Sequence, residues 1–155
     1  MGTLSVTTWI RGTAQVVLAG FLLFAGLAHL TFARTEFYAQ IPPWMPGDAD
    51  FIVVASGVIE IIAGAAVLLS WRNPTRAWAG WAVAALFVAV FPGNISQFVE
   101  QRDAFGLTTD SGRAIRLLFQ PLLIAWALWC TGAWTWWRRR QAATAADPQA
   151  SGKSG

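Results

Sequence analysis

Charge is scarce in this chain. Asp, Glu, Lys and Arg make up 12% of its 155 residues, about half the share of roughly 25% found in soluble proteins, and too little to cover the surface of a water-soluble domain. Cysteine is scarcer: Cys130 stands alone, which excludes an intrachain disulfide and a CxxC redox pair, so one chain cannot run a thiol relay. Cys130 reads instead as a small apolar filler. There is one histidine, His29, and with Glu60 it makes too few ligands for a metal site, so none is expected. The chain also lacks a nucleophilic triad, a phosphate loop and a dinucleotide fingerprint.

What the chain has in excess is apolar length. Hydrophobic residues make up 55%, with ten tryptophans. Four long runs hold most of them, at residues 13–32, 51–70, 76–97 and 114–137. Each supplies the roughly 20 residues that cross about 30 Å of hydrocarbon at about 1.5 Å per residue. Helices apolar all round lie either deep in a large protein or in a membrane, and a chain this short cannot bury four of them. The expected fold is an all-α transmembrane four-helix bundle over residues 1–137, in contact with the lipid bilayer. The first run is long for a signal-peptide core and no A-x-A site follows it, so it reads as a retained span. Residues 138–155 read as a basic, disordered cytoplasmic tail.

With four spans, seven basic residues fall on the side of the termini and four on the other. The positive-inside rule then places both termini in the cytoplasm. The cluster Arg138–Arg140 next to a span end can fix topology and attract anionic lipid. The net charge of +3 therefore needs no nucleic-acid partner, and none is expected. Between the first two spans, Pro42, Pro43 and Pro46 predict an extended loop. In the third span, Pro92 and Gly93 predict a kink or an end to the helix.

Polar residues inside the spans are the candidates for function, because a carboxylate at mid-membrane costs about 2.5–3.5 kcal/mol and usually faces a partner or a cavity. Ser56, Glu60 and Gly64 share one face of the second span, flanked by Gly57, and these small residues let another helix approach closely. Gln15, Ala19, Leu22, Gly26 and His29 form a matching stripe on the first span. Asn94 lies at the outer end of the third, and Arg116 and Gln120 lie four apart on the fourth. These polar groups converge in the outer half of the membrane. Glu60 has two candidate ion-pair partners, His29 and Arg116, and Gln15 and Gln120 suit hydrogen bonds between helices. A His–Glu pair beside apolar walls suits a quinone carbonyl or another small amphipathic ligand, and equally a proton path.

The stretches "FAGLAHL", "IPPWMP", "SGVIEIIAGAAVLL", "FPGNI" and "RLLFQ" occur in the order and spacing of a known family. By these the chain resembles the DoxX family of small four-helix bacterial membrane proteins, in particular its DoxX-like branch. The resemblance implies an inner-membrane protein with His29, Glu60 and Asn94 at the family's characteristic polar positions. It implies a setting in quinone-linked oxidoreduction or membrane redox-stress complexes, where better-studied members act with partner subunits. Three readings follow: a membrane protein that binds a quinone-like ligand or a redox partner, a non-catalytic scaffold, and a small transporter. Assembly into a homo-oligomer is compatible with each.

Overall fold

The computed structural model describes residues 6–146. Its elements are α1 (Val6–Leu30), α2 (Arg34–Phe37), a 3₁₀ turn (Tyr38–Gln40), α3 (Ala49–Leu69), α4 (Thr75–Val99), α5 (Asp110–Cys130) and α6 (Ala133–Ala146). Among the described residues there is no strand, only an isolated bridge between Ala104 and Leu107. α1, α3, α4 and α5 are long and apolar enough to cross a membrane. In their most apolar stretches only 22–39% of residues are buried within the protein, so most of that surface requires lipid. The chain is a multi-pass membrane protein built as an all-α four-helix bundle.

Local chemistry sets where the spans begin. The Asp48 carboxylate accepts from the Phe51 amide at 2.8 Å and caps α3. The Thr109 hydroxyl accepts from the Gly112 amide at 3.2 Å and caps α5. Each satisfies one of the orphan amides of a helix start. α1 packs along α3 and α4 along α5, while contacts between the two pairs are sparser.

At its glycines the α1–α3 seam brings backbone close to the facing helix. A Cβ on Gly26 would sit 2.6 Å from the Gly57 carbonyl oxygen, and one on Gly57 would sit 2.7 Å from His29 Cβ. Gly64 packs the same way, its missing Cβ falling 3.1 Å from the Ala19 carbonyl oxygen. The stripe of Gln15, Ala19, Leu22, Gly26 and His29 is buried along this seam.

At the end of the bundle where α1 begins, here the terminal end, a polar knot joins all four spans. Fully buried Gln15 donates to the carbonyls of Val67 (2.7 Å) and Ser70 (2.9 Å) and accepts from Arg76 Nε at 2.7 Å. Arg76 also donates to the Cys130 carbonyl, and Arg11 to that of Trp129. Both arginines thus cover the C-terminal end of α5, where free carbonyls attract cations, while Gln15 covers that of α3. Leu18, Leu22, Val67, Val83, Ala127 and Cys130 form the adjoining apolar core.

Three expectations need correction. α4 runs through Pro92 to Val99, so Asn94 lies inside the helix rather than beyond a break. Proline withdraws one amide, but packing and membrane burial hold the remaining ladder. The fourth span does not run on to Trp137: it ends at Cys130, and Gly132 turns the chain at φ +72° before α6. Arg138–Ala146 belong to α6 rather than to a disordered tail, because Arg, Gln and Ala favour helix without needing burial. The rest of the tail, 147–155, lies outside the described residues.

The seam predicts opposite outcomes for two glycines of α1. Gly26→Ala should destabilise the protein by about 1–3 kcal/mol through overpacking against backbone. Gly20→Ala has no neighbour within 4 Å and should leave stability unchanged or raise it by up to about 1 kcal/mol through helix propensity. Thermal unfolding in one detergent compares them.

Candidate functional site

At the other end of the bundle, here the lid end, the two helix pairs part around a cavity of about 990 Å³. That is at the upper end of the range for small-molecule sites, about 300–1,000 Å³. Phe87, Leu123 and Trp126 join it to the apolar core. Phe37, Ile41 and Phe105 join it to a second cluster, formed with Ala28, Ala33 and Val53, under the lid loops.

On the α1–α3 side, the glycine seam brings His29 against Glu60. His29 Nδ1 lies 2.8 Å from the Ala25 carbonyl oxygen and 3.1 Å from Glu60 Oε2. A carbonyl can only accept, so Nδ1 carries the hydrogen and directs it along the helix, leaving Nε2 as the second ring nitrogen. Glu60 Oε2 is buried and has no aligned donor, despite the short separation. Both side chains line the cavity, at 9% and 12% exposure. Ser56, one turn from Glu60 on α3, is half-buried on the same wall.

On the α4–α5 side, Gln120 Nε2 donates to the Phe87 carbonyl at 2.6 Å. Its Oε1 accepts from Asn94 Nδ2 at 2.9 Å. The neighbouring Val88 carbonyl faces Pro92, which has no amide to return, so this stretch of α4 is short of donors. Asn94 is 7% exposed, and its Oδ1 is buried without a donor.

Arg116 lines the cavity without touching Glu60. Its guanidinium stacks over Phe105 at 4.5 Å from the ring centroid. The Gln40 amide, turned with its oxygen toward the guanidinium, accepts from it. No carboxylate pairs with Arg116 among the described residues. Phe105 in turn meets Phe37 edge-on at 4.7 Å, and Phe37 stacks on His29 at 3.3 Å between centroids. One column, His29–Phe37–Phe105–Arg116, thus crosses the lid end from α1 to α5.

The column is held from outside the membrane core. Phe105 sits at φ +55° and Gly106 at φ +72° in a tight turn, and the Phe105 amide donates to Glu36 of α2 at 2.6 Å. Buried Arg113 clamps the same loop through Asp103 (2.7 Å), Asp110 (2.8 Å) and the Leu107 carbonyl. Gly93 lets the Gln40 carbonyl approach α4 where a Cβ would be 2.4 Å away. Arg34 and Tyr38 both bond the Asp50 carboxylate, Tyr38 at 2.5 Å, and tie the α2 loop to α3.

The structure therefore brings His29, Glu60, Ser56, Asn94, Gln120 and Arg116 to one cavity. Of the two candidate partners for Glu60 it chooses His29. Phe37, Gln40, Phe105 and Arg113 were not anticipated. The only sequence signal for them was the Phe-Gly pair in "DAFGLTT", a turn mark. Among the described residues, no group of three His, Cys, Asp or Glu side chains could hold a metal ion.

Compared with known proteins, residues 18–131 match the model of a family described as Domain of unknown function (DUF8561). That span runs from mid-α1 to the turn after α5 and contains every residue of the cavity wall. No curated protein and no solved structure matches the chain.

The single tyrosine of the chain reports on the lid. The hydrogen bond to Asp50, followed by desolvation, raises the Tyr38 hydroxyl above its ordinary value. The bond therefore contributes stability below pH about 10 that is lost as pH climbs through the raised value. Tyrosinate absorbance should titrate above the ordinary midpoint and fall back toward it in Asp50→Asn.

Proposed function

Because the chain belongs to the DUF8561 family, whose description assigns no function, we propose a role from the cavity itself: the protein binds a small, mainly apolar molecule of the quinone class, drawn from the membrane. The observation that carries this reading is a cavity of about 990 Å³ whose few polar groups come from all four spans. Phe21 and Phe24 of α1 and Phe119 and Leu122 of α5 line it, and all four are also exposed on the outside of the bundle. That arrangement supports entry sideways from lipid, beneath the aromatic column. The resemblance to the DoxX-like branch supports a redox setting in a bacterial inner membrane. In that reading the protein is a subunit that holds the ligand while a partner protein supplies or takes the electrons.

One observation favours the scaffold reading instead. In the Gln15–Arg76 knot buried polar groups join helices, which supports that reading, and the Gln120 bond to α4 belongs to the same type.

Mass spectrometry of molecules co-purifying in several mild detergents separates the two. Wild-type protein should carry one class of apolar compound. Ser56→Trp, which fills the cavity, should lose it while keeping the same helical circular dichroism. An empty wild-type cavity in every detergent would favour the scaffold.

The proposed orientation has its own check. In a Cys130→Ala chain with Ser154→Cys, an impermeant maleimide should react in inverted vesicles and not in right-side-out ones. The reverse pattern would place the termini outside.

A further inference from the structure

On the cavity wall, the side-chain polar atoms that are fully buried and left without a partner are acceptors. On α5, Gln120 must turn its amide nitrogen to the Phe87 carbonyl, so its oxygen faces Asn94. Asn94 must then give its nitrogen to Gln120, which leaves Oδ1 as the spare atom. That oxygen has no donor although the residue is only 7% exposed. On α1, the His29 Nδ1 hydrogen goes to Ala25, and a neutral imidazole then carries its lone pair on Nε2. On α3, Glu60 Oε2 is buried with no aligned donor. The donors of Arg116 lie at the lid edge, engaged by Gln40 and by the face of Phe105. A buried acceptor left without a partner is unfavourable, and a bound molecule that supplies the missing hydrogen removes that penalty.

We infer that the ligand brings hydrogen-bond donors: an apolar molecule with phenolic or alcoholic O–H groups, held in preference to the same skeleton bearing carbonyls or ethers. This rests on the ligand-binding reading above and specifies its chemistry. Within a quinone-class pair it selects the dihydroxy form. The two helix pairs would each receive a hydrogen, Asn94 on one side and the His29–Glu60 group on the other.

An alkyl-tailed hydroquinone, its quinone and its dimethyl ether test this on the wild-type protein in lipid nanodiscs. Partition into protein-free discs is measured and subtracted. The hydroquinone should bind roughly ten-fold or more tightly than either competitor. Equal or tighter binding of the quinone or the ether overturns the donor inference and leaves the binding reading standing. No saturable binding of any of the three overturns both.

Discussion

The contact on which the rest depends is the meeting of two backbones, α1 and α3, at Gly26 and Gly57. Lipid removes the hydrophobic drive that would press helices together in water, so close packing and hydrogen bonding must do it. With no side chain on Gly26 or Gly57, the Gly57 carbonyl oxygen comes within 2.6 Å of where a Gly26 Cβ would stand, and His29 Cβ lies against Gly57. Glu60 then meets His29 without either residue having to reach. A larger residue at either glycine would separate the helices and the pair together, so packing and site chemistry share one cause.

The bundle divides its polar groups by the state of their hydrogen bonds. At the terminal end, Gln15 uses both its donor and its acceptor capacity, and Arg76 and Arg11 cover carbonyls that helix ends leave free. At the lid end, the Asn94–Gln120 link and the His29–Glu60 group stop one bond short. Buried groups in a low-dielectric interior are strongly favoured to pair, and the leftover acceptors fall beside the cavity of about 990 Å³. A carboxyl–imidazole pair suggests on paper a site for a carbonyl ligand. The Nδ1 contact along α1 with the Ala25 carbonyl is what favours a ligand that donates instead, the basis of the inference drawn above.

The lid makes the cavity dependent on segments remote in sequence. His29, Phe37, Phe105 and Arg116 come from a span, a short helix, a loop and another span, and they stack into one column. Arg113 and Glu36 spend their charge on the loop that presents Phe105. Polar lid residues thus place an aromatic wall above an apolar chamber.

Run length and composition were enough to determine four spans, because hydrocarbon thickness imposes the same requirement on any chain. The inward direction of Glu60 was also legible, since a carboxylate among small residues at four-residue spacing has few other places to go. The path of α4 through Pro92 was not, because proline's local penalty says nothing of the packing that offsets it. Neither was the choice of His29 over Arg116 as the partner of Glu60. Spacing assigns residues to a helix face, but the distance between faces follows from how closely two backbones approach. The aromatic column and the unpaired acceptors belong wholly to tertiary structure, because a hydrogen bond or a ring contact is settled by angles and tenths of an ångström that no pattern along the chain encodes.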